Sequence, residues 1–220
     1  MSNSATQIET NLTIGQPVAL SIGLKRLEAS DLIFYGLLTF AVHLVLLTAN
    51  RALIYRSLSE HVSAEFASDY AVNFYASMFA GVFAETMFFL LGWLFICGMV
   101  VLLNGQSNSR TLFGGLLICY LPVVFTSAIA FIAYFFSLKG LSYASIGEAQ
   151  SAEQLSAAME IFARSMVFQR TAICQNIGYG ALILLSIESI YRICQTSRWK
   201  SSLTVMFYVG VLMALTRLAG

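Results

Sequence analysis

Five long apolar runs decide which folds are open to this chain. They extend from Leu32 to Asn50, Phe79 to Leu103, Leu112 to Leu138, Thr171 to Ile193 and Leu203 to Leu218. A helix that crosses a bilayer needs about 20 predominantly apolar residues, and each run offers roughly that length. The runs specify an all-α polytopic membrane protein, a bundle of five transmembrane helices with amphipathic surface helices. Composition agrees, because only 10% of the 220 residues are charged and 58% are hydrophobic. A soluble domain carries about a quarter charged residues and could not cover its surface with so few. The formal charge of +1 gives no argument for nucleic acid as a partner; the partner the composition does specify is the lipid bilayer.

Five crossings place the two termini on opposite sides. The side that holds the N-terminus also holds the short loops NGQSNSR and QTSRWK, with Lys25, Arg26, Arg110, Arg198 and Lys200. The other side has Arg51, Arg56, Lys139, Arg164, Arg170 and Arg217, spread over two longer loops. The short loops contain no acid and concentrate their charge at the membrane, so the positive-inside rule places the N-terminus in the cytoplasm and the C-terminus outside. The opening residues MSNSATQIETNLTIGQP have neither the basic nor the apolar region of a signal peptide. Residues 1–16 read as a flexible tail, and 17–220 as one membrane domain.

Three connecting segments have helical amphipathic patterns. In PVALSIGLKRLEAS, Leu20, Leu24 and Leu27 share a face, as expected of a helix lying on the membrane surface. Ser30 and Asp31 then offer an N-cap for the first span. Beyond that span, Ile54, Leu58 and Val62 continue a stripe outward. In the second long loop Ser151 and Gln154 fit a capping box, and Leu155, Met159, Phe162 and Met166 form a stripe.

Ionisable side chains at membrane depth are expensive and mark candidate functional sites. His43 falls in the outer half of the first span and Glu85 in the outer third of the second. Gln175 and Asn176 lie near the outer end of the fourth, and Thr126 and Ser127 just outward of Pro122 in the third. Antiparallel spans bring these six to one half of the bilayer. They can act as a proton- or cation-handling pair, His43 with Glu85, in a wet cavity. Hydrogen-bonding glue between helices, at about 0.6 to 2 kcal/mol per contact, is the favoured reading, because the inverted repeats or paired broken helices usual in a transporter are not visible. Glu188 and Arg192, one turn apart, form an interfacial anchor with Arg198 and Lys200. Cys174, Gly178 and Gly180 suit close helix packing. His61, Glu65 and Asp69 recur every four residues, a spacing that suits a solvated helix face better than a divalent-ion site.

No HExxH, GxSxG or P-loop sequence occurs, so no enzyme is read here. Cys97, Cys119, Cys174 and Cys194 all fall inside apolar runs without a CxxC pair and read as small buried hydrophobes. No metal site or cofactor is expected. In GGLLICYLPVVF, Pro122 removes the donor that would reach the carbonyl of Ile118, which predicts a kink beside Tyr120 inside the third span.

Gly115, Tyr120 and Pro122, set in five spans behind a surface helix, complete a pattern that resembles the Yip1 family of integral membrane proteins. The third span of that family often carries a Gly-Tyr-x-x-Pro-like signal. Here one residue separates Tyr120 from Pro122, and Cys119 precedes the tyrosine. The entry DLIFYG is similar to the family's Asp-Leu-Tyr-Gly element with two residues inserted. The resemblance covers roughly residues 20 to 219 in layout, and the short N-terminal region is like that of bacterial members. It implies a non-enzymatic inner-membrane protein that binds partner proteins, or further copies of itself, or organises the membrane. A small transporter or accessory subunit of a transport complex, using Glu85 and His43, is the alternative.

Overall fold

Residues 29–60, 62–105, 108–138 and 152–219 are described by the computed structural model, and they form seven helices. These are α1 (Ala29–Ser59), α2 (Ala67–Leu102), α3 (Ser109–Ile118), α4 (Leu121–Ser137), α5 (Ala152–Arg164), α6 (Met166–Ile193) and α7 (Arg198–Ala219). The helix expected over PVALSIGLKRLEAS lies outside the described residues as far as Glu28, and so do His61, Ser107 and Ser151. By length and composition four segments can cross a membrane: α1, α2, α3 with α4 as Ser109–Ser137, and α6. The chain therefore has the character of a multi-pass membrane protein. The fifth expected span corresponds to α7, a 22-residue helix that is not among those four.

Helix limits differ from the apolar runs for local reasons. At 1.5 Å per residue, α1 and α2 are about 46 and 54 Å long, against a hydrocarbon core of about 30 Å. Their polar ends therefore stay helical outside any bilayer. Arg51, Ile54 and Leu58 belong to α1, whereas Val62 lies beyond its end. Ser30 and Asp31 sit within the first turn of α1 and do not precede it, so neither is its cap; the acid there still opposes the helix dipole favourably. The fourth span begins at Met166, upstream of Thr171. Ser165 adopts an extended backbone and its hydroxyl accepts from Phe168 N at 3.3 Å, which separates α5 from α6. Met166 is thus exposed on α6, while Phe162 of α5 is buried against Tyr134 and Phe168.

The third span is broken, not merely kinked. Gly115 O accepts from Cys119 N at 3.2 Å, and Tyr120 N reaches back only three residues, to Leu117 O at 3.2 Å. That tightened turn ends α3. Pro122 falls in the first turn of α4, where a missing N–H costs no helical hydrogen bond. The third run, which can be one kinked span or two short elements, thus holds two short helices that meet at Cys119–Tyr120 and together make one candidate crossing, Ser109–Ser137.

α1 packs along both α3 and α4, α4 packs along α6, and α6 and α2 each meet α7. Lipid-embedded helices gain little from the hydrophobic effect, so small residues that let backbones approach matter more. A Cβ on Gly36 would lie 2.8 Å from Gly114 O, and one on Gly114 would lie 2.8 Å from Ile33 N. α1 and α3 thus touch through their backbones. Phe40, Phe89, Leu116, Leu117, Ile190 and Val205 fill the centre of the bundle beside this contact.

Candidate functional site

Two stripes of polar residues face each other where α1 meets α2. On α2, Ser77, Gly81 and Glu85 recur every four residues and share a face. On α1, His43 and Arg51 stand opposite them. His43 Nε2 lies 3.2 Å from Glu85 Oε1, so the two residues singled out from the sequence are in contact. His43 is 1% exposed and Glu85 24%. Arg51 Nη1 donates to Ser77 O at 3.1 Å, and its guanidinium occupies the place a side chain at Gly81 would take.

The hydrogen bonds decide where the proton of the pair sits. His43 Nδ1 is buried with no hydrogen-bond partner among the described residues. If Nε2 carries the proton and donates to Glu85, Nδ1 is a bare acceptor. Any other neutral arrangement, or an imidazolium, leaves a buried N–H donor orphaned. Orphaned buried N–H groups are the rarer and costlier case. The arrangement therefore favours the Nε2–H tautomer of a neutral imidazole, donating to Glu85.

Glu85 also lines a cavity of about 270 Å³ enclosed by α2, α6, α7 and the α3–α4 break. Six aromatic residues share that lining: Phe88, Phe89, Trp93, Tyr120, Tyr179 and Tyr208. The helix break places Tyr120, whose ring packs 5.0 Å from Phe40 and 5.2 Å from His43. Tyr208 donates its hydroxyl to Phe88 O at 2.6 Å, which fixes α7 against α2. The lining includes no lysine or arginine, and Glu85 is its one formal charge.

The remaining sequence candidates divide. Ser127 is buried, and its carbonyl accepts from Asn50 Nδ2 at 3.1 Å, joining α1 to α4. Thr126 packs against Gly178, where an added Cβ would lie 2.3 Å from Thr126 Oγ1. These two are packing and hydrogen-bonding residues apart from the cavity lining. Gly180, in contrast, faces open space. Gln175 and Asn176 do not join the His43–Glu85 pair; Asn176 is exposed, and neither makes a side-chain hydrogen bond among the described residues. The inner anchor forms in part. Glu188 pairs with Arg192 and lies 3.7 Å from Arg198, whose guanidinium stacks 5.1 Å above the Tyr191 ring. Lys200 goes elsewhere, donating to Leu103 O at 2.8 Å and tying the two short loops together.

Arg51, Asn50, Tyr179 and Tyr208 were not among the candidates drawn from the sequence. The regular spacing of Ser77, Gly81 and Glu85 was the available signal for the α1–α2 seam. No protein-family model, curated protein or solved structure matches the chain.

Proposed function

We propose that this chain is a non-enzymatic protein of a bacterial inner membrane that works as a small transporter or an accessory subunit of a transport complex. Glu85 and His43 are its working pair, handling a proton or a cation. The observation that carries the reading is the double position of Glu85. It accepts from a buried histidine, and it lines a cavity. Helix glue needs only the first of these. A carboxylate costs about 2.5 to 3.5 kcal/mol at the bilayer centre and less toward the outer third where Glu85 falls, and a residue kept merely for packing would be replaceable by an amide. α7 supplies the fifth crossing, with the N-terminus cytoplasmic and the C-terminus outside, as the charge of the short loops suggests.

The test is a cell whose phenotype depends on the chain, complemented with Glu85→Gln and His43→Gln. Both variants should fold and insert yet fail to complement, because neither new amide can exchange a proton. Full complementation by a well-folded Glu85→Gln protein would return Glu85 to the role of glue.

A Yip1-like role in binding partner proteins or organising the membrane is the second reading. The helix break at Cys119–Tyr120 favours it, since the motif residues of that resemblance fall there. A pull-down in mild detergent that recovers the same protein with wild type and Glu85→Gln, but not with a variant altered at Tyr120, would support it.

A further inference from the structure

We propose that the cavity between α2, α6 and α7 binds an organic cation, an ammonium whose charge is spread over carbon substituents and which carries an apolar body. This inference rests on the transport reading of Glu85 and names its substrate class. Charge selects the sign of the ligand. Glu85 is the only formally charged residue of the lining, and no basic side chain faces it there. An anion in the cavity would meet a carboxylate, and the arginine nearest to it, Arg51, is held outside the lining by Ser77 O.

Coordination chemistry then separates organic from inorganic cations. A hard metal ion needs about six to eight oxygen ligands to replace its hydration shell. Here one carboxylate and four hydroxyls, of Tyr120, Tyr179, Ser186 and Tyr208, are spread over a lining that is otherwise aromatic and aliphatic carbon. A single carboxylate offers a divalent ion little charge in exchange for its water, and most of the surface offers no oxygen at all. An alkylammonium keeps little of its hydration and is attracted to aromatic faces, which is how aromatic cages hold quaternary ammonium groups. Six aromatic residues around one acid meet that requirement.

Size limits the ligand further. About 270 Å³ lies at the small end of the roughly 300–1,000 Å³ typical of small-molecule pockets, room for one ring with a compact ammonium head. Phe88 and Tyr179 are 37% and 39% exposed, so an apolar tail can leave the cavity past them. The α3–α4 break has a part in this site, because it sets Tyr120 between His43 and the cavity. His43 holds the carboxylate in place by donating Nε2–H.

The experiment uses the full chain in nanodiscs and benzyltrimethylammonium as the probe, with binding followed by saturation-transfer NMR. Neopentylbenzene, which has the same shape without the charge, is the competitor. Saturable binding to wild type is expected, with Glu85→Gln weaker by at least about tenfold, the factor that 1.4 kcal/mol represents. Val209→Phe, which puts a ring into the cavity, should also abolish binding, and neopentylbenzene should not displace the probe. Those two results decide the matter if Glu85→Gln fails to fold. Absence of saturable binding, equal binding to Glu85→Gln, or efficient displacement by neopentylbenzene overturns the organic-cation site. If binding fails while Glu85→Gln still cannot complement, the substrate class is wrong and the transport reading stands. If Glu85→Gln complements fully, the transport reading falls whatever the probe does.

Discussion

Replacing Gly114 by alanine should loosen the bundle where α1 and α3 touch through their backbones. The added Cβ would sit 2.8 Å from both Ile33 N and Leu32 C and 2.9 Å from Leu32 O. All three are backbone atoms of α1, so no side chain can rotate away. Restoring a carbon contact near 3.5 Å requires α1 and α3 to separate by about 0.7 Å. Overpacking of this kind costs about 1–3 kcal/mol, and the better helix propensity of alanine returns about 1 kcal/mol. The net loss should be up to about 2 kcal/mol, and Gly114→Val should lose more. Gly180→Ala is the control, because nothing lies within 4 Å of the Cβ it would add; it should be neutral or slightly stabilising. Reversible unfolding in mixed micelles, followed by circular dichroism, measures both. A Gly114→Ala protein as stable as Gly180→Ala would refute the backbone contact between α1 and α3.

Gly81→Ala should expel the Arg51 guanidinium, since the new methyl would sit 1.7 Å from Nη1. Because the arginine end is flexible, stability should change by less than about 1 kcal/mol, whereas phenylglyoxal labelling of Arg51, read by mass spectrometry, should rise severalfold. Tyr134→Phe deletes the 2.8 Å hydrogen bond to Thr171 Oγ1 that joins α4 to α6, and should cost about 0.6–1.7 kcal/mol by the same unfolding assay. Pro122→Ala loses no helical hydrogen bond and should shift stability by under about 1 kcal/mol; a loss above 2 kcal/mol would show that the proline does more than start α4. For topology, a cysteine at Ser107 in a cysteine-free background should label only from the cytoplasm, and one at Ser151 only from outside. Labelling of both from one side would exclude the five-crossing arrangement.

Hydropathy made the helical, membrane-like character legible, and four of the five apolar runs fall in helices long and apolar enough to cross a membrane, all but α7. It could not locate their ends. The stretch from Arg51 to Ser59 continues α1 as far as the stripe of Ile54 and Leu58 suggests, with Leu58 buried. Counting Arg51 among the loop charges hid it as a site residue. The break at Cys119–Tyr120 has apolar residues on both sides, so hydropathy passes through it. Its signals were local ones: Pro122 and the residue before it disfavour a continuing helix. For the site, depth could be counted along each span, and that sufficed to pair His43 with Glu85. Azimuth could not be counted without knowing the neighbours. Gln175 and Asn176 share the depth but face away, while Tyr179, one turn further, faces the cavity. Tyr208 was illegible for the same reason, since it joins the cavity only through the packing of α7 on α2.

The central claim is that His43 gives its Nε2 proton to a Glu85 carboxylate beside the cavity. The chain has two histidines, so His61→Gln leaves His43 as the only one. Nitrogen-15 NMR of that protein in bilayers at neutral pH reads both ring nitrogens directly. The expected spectrum is a neutral imidazole protonated at Nε2, with the Nε2 resonance shifting when Glu85 becomes glutamine. A neutral ring protonated at Nδ1, or an imidazolium, would contradict the account, because Glu85 would then be spent on its histidine and could not offer the cavity a net negative charge.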